Sequence, residues 1–248
     1  MAKVISIGNQ SFESMRERDN FYVDKTSFIK EWWENKDIVT LITRPRRFGK
    51  TLNMDMIKCF FSNEYRDRGD LFEGLDIWKD EKYRELQGTY PVIFLSFAEI
   101  KTKKFEAARE QICFQIVKLY NENEYLYDSG ILTENEKKFF RSVDMDMSDV
   151  ILSTAINQMC CFMQKYYGKK VIVLLDEYDT PMQESYINGY WEELVAVTRS
   201  MFNSTFKTNP YLERAIMTGI TRVSKESIFS DLNNLVVITT TSNQYETA

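Results

Sequence analysis

The chain has 248 residues, is 44% hydrophobic and 28% charged, and carries a formal net charge of −5. This composition is typical of a soluble globular protein that folds as one large α/β domain or two small ones, and it argues against disorder. The acidic balance argues against a protein that binds nucleic acid with its whole surface. The sequence contains no histidine, which excludes Ser-His-Asp and Cys-His catalysis and the commonest zinc ligand.

Cysteine usage and hydropathy indicate the cellular compartment. The four cysteines fall inside predicted helices without metal-ligand spacing, so we expect buried thiols in a reducing environment. The N-terminus has no signal-peptide pattern, and no apolar run reaches the roughly 18 residues that a membrane helix needs. We therefore predict a cytoplasmic protein without a membrane partner.

Residues 1–36 are predicted to form an N-terminal segment that packs on the core. A short apolar piece at residues 4–8 is followed by a charged stretch and then by a helix from Thr26 or Ser27 to about Asn35. The aromatic residues of this helix could contact a nucleoside, but aromatic residues at helical spacing are more often part of a core.

Residues 37–61 carry the pattern on which the functional prediction depends. An apolar, β-branched run predicts a buried strand, which passes through a basic turn into an amphipathic helix. This is the order of a phosphate-binding P-loop, in which N–H groups at a helix start, a glycine and a lysine hold phosphate, and a hydroxyl ligates Mg²⁺. We predict that the nucleotide is contacted by Arg46, Arg47, Phe48, Gly49, Lys50 and Thr51, with Thr51 also bound to magnesium.

The strict P-loop pattern fails at one position. It requires a glycine five residues before Gly49, where Arg44 stands, followed by Pro45. A lysine-capped turn between a strand and a core helix is the alternative interpretation of these residues.

The middle of the chain is predicted to be mainly helical. Residues 63–88 predict a connection with one or two short helices, and residues 90–97 predict a second strand. Three further helices are predicted. The first spans residues 103–123, the second begins at Thr133 with Glu136 as capping-box partner, and the third runs from Ser148 to Gly168. They form a helical insertion between the second and third strands, and such insertions often hold partner-binding surface.

Residues 169–180 predict a third strand that ends in two carboxylates. An apolar run from Val171 to Leu175 continues directly into Asp176 and Glu177, which suits a parallel strand covered on both faces. The carboxyl ends of such strands form the ligand-binding edge of an open α/β sheet. We predict that Asp176 holds Mg²⁺, directly or through water, and that Glu177 is the general base for a water aimed at the γ-phosphate. The alternative is that both residues cap the following turn.

The last part of the chain predicts a loop at residues 183–189, a helix at 191–206, a fourth strand that ends at Thr218, and a fifth strand at 235–241. We expect the fourth strand to lie between the carboxylate strand and the P-loop strand. Thr218 would then orient the attacking water, and Arg222 would neutralise phosphate charge in the transition state as an arginine finger does. A turn threonine and a surface salt bridge are the alternatives.

The predicted fold class is an α/β P-loop NTPase fold, with a mainly parallel five-stranded sheet flanked by helices. The predicted division has the N-terminal segment at residues 1–36, a P-loop ATPase-like domain at 37–241 and a polar tail at 242–248.

Four separate stretches together resemble the AAA-ATPase-like domain family. They read YVDKT at 22–26, LITRPRRFGKT at 41–51, LLDEYD at 174–179, and KESIF at 225–229 with NNL at 233–235. In that family the TRPRRFGKT form of the P-loop is usual, so the resemblance implies that Arg44 is a normal variant. It also implies an additional-strand P-loop ATPase fold, with Lys50 and Thr51 at phosphate and magnesium and with Asp176 and Glu177 as the carboxylate pair. Family members typically carry a C-terminal nuclease-like domain; we expect none here, so no nuclease function is carried over.

We therefore predict an ATP-binding switch domain that hydrolyses ATP with Mg²⁺. One alternative is a nucleotide-binding interaction module with little or no hydrolysis, which would bind a protein partner or a second copy. A small-molecule P-loop kinase is a third, disfavoured because a water-activating base beside the metal carboxylate favours hydrolysis. Nucleic acid as a partner rests on the basic turn with Arg44, Arg46 and Arg47, and on the association with the family.

Overall fold

The computed structural model describes residues 4–6, 8–220, 229, 232–240, 242 and 245. The elements, in chain order, are α1 (Phe12–Glu17), α2 (Ser27–Asn35), β1 (Val39–Thr43), α3 (Lys50–Phe61), the 3₁₀ turns Asn63–Tyr65, Gly69–Phe72 and Asp76–Lys79, α4 (Glu81–Leu86), β2 (Val92–Ser96), α5 (Phe105–Glu122), α6 (Tyr125–Asp128), α7 (Glu134–Arg141), α8 (Asp149–Tyr167), β3 (Val171–Asp176), α9 (Thr180–Asn188), α10 (Trp191–Phe202), the π turn Asn203–Lys207, β4 (Leu212–Gly219) and β5 (Leu235–Ile238).

The strands of the described residues form one five-stranded sheet in the order β2-β3-β4-β1-β5. Every neighbouring pair is parallel, so all the carboxyl ends lie at one edge, where open α/β sheets bind ligands. The predicted fold class is confirmed, and the sheet is parallel throughout. The expected position of the fourth strand, between β3 and β1, is also confirmed.

Helices cover both faces of the sheet, because alternate residues of a strand point to opposite sides. Strand residues such as Leu41, Leu175 and Met217 pack with α5, α8 and α10. Strand residues such as Ile42 and Leu174 pack on the other side with α2, α3 and the connection that follows α3. All six residues of β3 are buried, which explains why its sequence is a continuous apolar run up to Asp176 rather than an alternating one.

The predicted helical insertion between the second and third strands is confirmed and consists of α5 to α8. Helix α7 begins with the predicted capping box, in which Thr133 and Glu136 bond each other's backbone N–H groups. Helix α8 ends at Gly168, whose φ of 70° is the left-handed conformation that closes many helices. All four cysteines are buried as free thiols.

Three element boundaries in the last part of the chain were predicted wrongly. The expected loop at residues 183–189 is most of helix α9, because Pro181 fits the first helical turn and Gly189, with a φ of 81°, ends the helix. The helix expected to reach residue 206 ends at Phe202 and continues as a π turn. Strand β5 stops at Ile238, because the Thr239 N–H then donates to Ser242 Oγ at 2.9 Å in a turn.

Two further segments have more helix than the sequence indicated. The charged stretch near the N-terminus contains α1, whose N-terminus is capped by Ser11. The connection expected to hold one or two short helices has three 3₁₀ turns and α4.

Candidate functional site

The turn between β1 and α3, residues 45–49, forms one side of the site and is called the P-loop turn below. All five of its residues are exposed. Arg47 and Gly49 have φ values of 69° and 79°, a conformation that glycine adopts readily and that arginine adopts rarely. Helix α3 begins directly after Gly49, so its unpaired N–H groups and partial positive charge lie at this turn.

Lys50 lies beneath the P-loop turn with only 8% of its surface exposed. Its Nζ donates to the backbone carbonyls of Arg44 at 2.9 Å and Pro45 at 3.1 Å. The amine therefore spans the turn from the inside and lies at the cleft that the turn lines. Carbonyl oxygens are weaker partners for an ammonium than phosphate oxygens, because they carry no formal charge.

Arg44, which replaces the pattern's glycine, has its side chain directed away from the cleft. Its guanidinium donates to the carbonyls of Thr239 at 2.8 Å and Tyr245 at 3.1 Å. Its backbone is not in the left-handed region, so a glycine is not needed at this position. Burial lowers the pKa of the nearby Lys25 amine, and the Arg44 guanidinium lowers it further.

The burial of Arg44 changes one sequence-based expectation. Arg44 is only 7% exposed, so it is not available to a nucleic acid as part of the predicted basic turn. Arg46 and Arg47 are exposed, but they line the same cleft as Lys50.

The opposite side of the site is the turn between β3 and α9, residues 176–180, called the carboxylate turn below. Asp176 is 1% exposed at the end of β3. One of its carboxylate oxygens accepts a hydrogen bond from the Thr51 hydroxyl, with 2.8 Å between the two oxygens. The other accepts a hydrogen bond from the hydroxyl of Thr218 on β4. The sheet order brings these groups together, since β4 lies between β3 and β1.

Glu177 follows Asp176 and lines the cleft. Its φ of 50° is unusual for a residue with a side chain, and its N–H donates to Thr218 Oγ1 at 3.2 Å. Its carboxylate accepts a hydrogen bond from the Thr180 hydroxyl, with 3.2 Å between the two oxygens. Thr218 thus contacts both residues of the carboxylate pair, whereas Arg222 lies outside the described residues.

The two turns share a cleft of about 600 Å³, which the N-terminal segment also lines through Gly8, Asn9 and Gln10. No motif in the sequence marks these three residues as part of the site. They are held in place because the Asn9 side chain accepts the Ser11 N–H at 3.0 Å and the Phe12 N–H donates to Asp55 of α3 at 2.7 Å. Burial raises the pKa of the Asp55 carboxyl.

A family model described as "Predicted AAA-ATPase" matches residues 6–229. The chain belongs to the AAA-ATPase-like family. The family supports nucleotide binding in general terms, and the P-loop turn, Asp176 and Glu177 all lie within the matched residues.

One relative is a protein of Azotobacter chroococcum mcd 1 described as "Uncharacterized protein in vnfD 5'region". It is 27% identical over 236 residues, which are 94% of this chain and 40% of the relative. The chain therefore spans about two-fifths of that relative's length. No solved structure matches the chain. In the described part of the chain, no helix combines the length and apolar character needed to cross a bilayer.

Proposed function

We propose that the chain binds ATP with Mg²⁺ in the cleft and hydrolyses it, as a switch domain that changes conformation with the state of the nucleotide. The observation that carries this proposal is the 2.8 Å contact between the Thr51 hydroxyl and the Asp176 carboxylate. It joins the first turn of the P-loop helix to the end of the carboxylate strand. Two residues that are 125 positions apart in the chain are thus in contact, which supports them as the ligands that would hold the metal of a magnesium triphosphate.

The phosphates would lie against the P-loop turn. The exposed backbone around Gly49 can approach a ligand closely, because no atom lies within 4 Å of the place that a Cβ would occupy. Lys50 would exchange its bonds to two backbone carbonyls for stronger bonds to charged phosphate oxygens. Arg46 and Arg47 add positive charge at the mouth of the cleft, and Phe48 stands exposed between Arg47 and Gly49.

The groups present at the metal position fit Mg²⁺. The Thr51 hydroxyl and the Asp176 carboxylate are hard oxygen ligands, which Mg²⁺ prefers alongside water and phosphate. Both already point toward each other, so a metal between them would replace one hydrogen bond rather than require new positions. Bound magnesium would neutralise charge on the phosphate oxygens during phosphoryl transfer.

Glu177 is the proposed general base, because it is a carboxylate residue that lines the same cleft as Lys50 and Thr51. It would accept a proton from a water aimed at the terminal phosphate. Thr218 stays our candidate for orienting that water, and its two hydrogen bonds also fix Asp176 and Glu177. Arg222 stays the candidate for neutralising charge in the transition state.

The nucleoside would lie toward the N-terminal segment. Gly8, Asn9 and Gln10 line the part of the cleft that the two turns do not supply. Amide side chains can both donate and accept hydrogen bonds, as the polar edge of a base requires. The choice of ATP over other nucleotides comes from the family.

The proposal is tested by measuring phosphate release with the wild type and with Glu177→Gln. We expect a loss of turnover of about 100-fold or more, with ATP affinity retained, because the general base is removed while the phosphate contacts stay. Glu184→Gln on the adjacent helix is the matched control, since Glu184 does not line the cleft. Unchanged phosphate release in Glu177→Gln would exclude the hydrolytic assignment.

A second candidate is a nucleotide-binding interaction module that hydrolyses little. The observation in its favour is the bond from the Thr180 hydroxyl to the Glu177 carboxylate, which holds the proposed base on its own turn. This candidate predicts that ATP raises the melting temperature of the wild type while phosphate release stays at background. Thr180→Val would then raise the rate if that bond is what restrains Glu177.

Nucleic acid remains a weaker proposal for a partner. It rests on Arg46 and Arg47, which the phosphates of a nucleotide would also attract. Filter binding without salt-dependent retention of DNA would remove it.

A further inference from the structure

The carboxylate turn stays in contact with the end of β4 beyond the last paired residues of the sheet. The contacts between residues 176–180 and residues 218–220 are called the joint below. The register of β3 and β4 runs to the pair Leu175 and Met217. Beyond that pair, the Glu177 N–H donates to Thr218 Oγ1 at 3.2 Å and the Tyr178 N–H donates to the Thr218 carbonyl at 3.0 Å. Hydrogen bonds from the backbone of the carboxylate turn to Thr218 thus connect the two segments beyond the end of the regular strand pairing.

Asp179 adds the next contact of this joint. Its Oδ2 accepts the backbone N–H of Ile220 at 2.9 Å and the Gln183 side-chain amide at 2.9 Å. Asp179 is 0% exposed, and a hydrogen bond to a carboxylate is stronger than one between neutral groups. One carboxylate oxygen therefore ties the residues after β4 to the first turn of α9.

Gly219 shows how closely the two segments approach. A Cβ at this position would lie 2.7 Å from Tyr178 Cε1 and 2.8 Å from Asp179 Oδ1. Its φ is not in the left-handed region, so the glycine is needed for space rather than for conformation. Tyr178 is itself 0% exposed and packs on Phe229 at a ring distance of 5.3 Å, which leaves it little room to move away.

We propose that Asp179 is a positioning residue for hydrolysis, which acts through the end of β4 on Glu177. The inference rests on the proposed function. Glu177 holds an unfavourable backbone conformation with a φ of 50°, and such conformations persist when surrounding contacts fix them. Those contacts come from Thr218, and Asp179 fixes the strand end on which Thr218 lies by holding the Ile220 N–H two residues later.

The role of Asp179 differs from that of the phosphate contacts. Asp179 does not line the cleft, so its loss leaves the P-loop turn and Lys50 intact. The aim of Glu177 and the position of Thr218 change instead. Turnover should therefore fall while nucleotide affinity is retained, which is the signature of a residue that acts on the reacting geometry.

The experiment compares steady-state ATP hydrolysis and ATP binding in Asp179→Ala, Asp179→Asn, Gln183→Ala and Gly219→Ala. We expect kcat to fall about tenfold or more in Asp179→Ala with KM changed by less than about threefold, as is typical when an outer partner of a functional group is lost. Asp179→Asn keeps an acceptor oxygen and should restore most of the rate. Gln183→Ala removes the other partner of the same oxygen and should stay within about twofold of the wild type.

Gly219→Ala disturbs the joint from the other side and should reproduce the kcat defect of Asp179→Ala. It also decides the question if Asp179→Ala does not fold. Amide exchange at Ile220 in the protein without nucleotide should rise in Asp179→Ala and stay unchanged in Gln183→Ala. A role confined to stability would lower the melting temperature of Asp179→Ala and leave kcat of the folded protein unchanged, which would overturn the proposal.

A double-mutant cycle with Glu177→Gln gives the sharpest result. If Asp179 acts through Glu177, adding Asp179→Ala to Glu177→Gln should slow turnover by less than about twofold further, because residues that act as a unit are not additive. Fully additive losses would overturn the proposal. A wild type that binds no ATP would overturn the proposed function and this inference together, whereas a hydrolysing wild type with an unaffected Asp179→Ala variant would overturn this inference alone.

Discussion

The P-loop turn and the carboxylate turn line the same cleft but are built in opposite ways. Every residue of the P-loop turn is exposed, and the amine beneath it is bonded to backbone carbonyls of the same turn region. In the carboxylate turn, Asp176 and Asp179 are at most 1% exposed, and both are bonded from other parts of the chain, Asp176 by the Thr51 hydroxyl and Asp179 by the Ile220 N–H. The proposed phosphate side is therefore exposed backbone and arginine, whereas the proposed metal side is buried and held by hydrogen bonds from distant residues.

This difference has a physical reason. A phosphate brings negative charge, so the positive groups that bind it must stay free or weakly bonded until it is present. A buried carboxylate is destabilising unless hydrogen bonds satisfy it, so Asp176 needs Thr51 and Thr218 even without a metal. Each turn can be disturbed separately, and the effects should differ in kind.

The largest expected effect comes from Lys50→Ala, directly after the P-loop turn. At ATP about 1,000 times above its Kd, binding should stabilise the wild type by about 4 kcal/mol, and the variant should lose nearly all of this gain. Melting curves with and without ATP and Mg²⁺ measure it. Lys58→Ala on the same helix is the control, because Lys58 pairs with Glu64 at 3.8 Å and does not line the cleft, and it should keep the full shift.

For the carboxylate turn, the corresponding change is Thr218→Val on β4, which should act on stability without any ligand. The variant keeps the shape of the side chain but removes the hydroxyl that bonds Asp176 and Glu177. Leaving a buried carboxylate oxygen and an N–H without that partner should destabilise the fold by about 3 kcal/mol. Urea unfolding without nucleotide gives the value.

Thr43→Val is the matched control for this change. Thr43 is also a buried strand-end threonine, and its hydroxyl donates to the neutral carbonyl of Ile238 at 3.1 Å. A neutral pair contributes less, so we expect a loss of about 1 kcal/mol. Equal losses in the two variants would contradict the view that the carboxylate turn is the more tightly assembled side.

Arg44→Gly tests whether the departure from the P-loop pattern weakens or supports the site. The change restores the pattern's glycine but removes the buried guanidinium that bonds the carbonyls of Thr239 and Tyr245. We expect a loss of about 2 kcal/mol in urea unfolding, because two charge-assisted hydrogen bonds disappear while the burial of a charge is relieved. ATP affinity should change little, since Arg44 does not line the cleft. A large gain in affinity would show that Arg44 obstructs phosphate binding.

Much of the fold and the meeting of the two turns could be predicted from local sequence signals. The apolar runs before Gly49 and Asp176 are long enough to indicate parallel strands, and parallel strands bring their carboxyl ends to one edge. Two motifs at such ends must therefore meet if their strands are close. The position of the fourth strand between these two strands was the additional assumption, and the structure confirms it.

The features that could not be predicted depend on contacts between distant parts of the chain. The direction of the Arg44 side chain is set by carbonyls that lie 195 and 201 positions later. The N-terminal segment reaches the cleft through Gly8, Asn9 and Gln10. It is held there because the Phe12 N–H donates to Asp55, which lies 43 positions later in the chain. Helix α9 is different, since Pro181 and Gly189 mark its ends locally and the polar residues between them concealed it.

The smallest expected effect comes from Arg47→Gly, which tests whether the backbone of the exposed P-loop turn is strained at Arg47. Arg47 has a φ of 69° and is exposed, so its side chain contributes little packing to offset the unfavourable conformation. Glycine would relieve this strain but would also gain freedom in the unfolded chain, so the net stabilisation should be about 0.5 kcal/mol.

Urea unfolding of Arg47→Gly and of Arg46→Gly separates the relief of strain from the added freedom of the unfolded chain. Arg46 does not have a positive φ, so its replacement relieves no strain and should lower stability by about 0.5 kcal/mol. Equal losses in both variants would mean that the turn is unstrained as it stands, and that the conformation of Arg47 is available to the chain without help from a ligand.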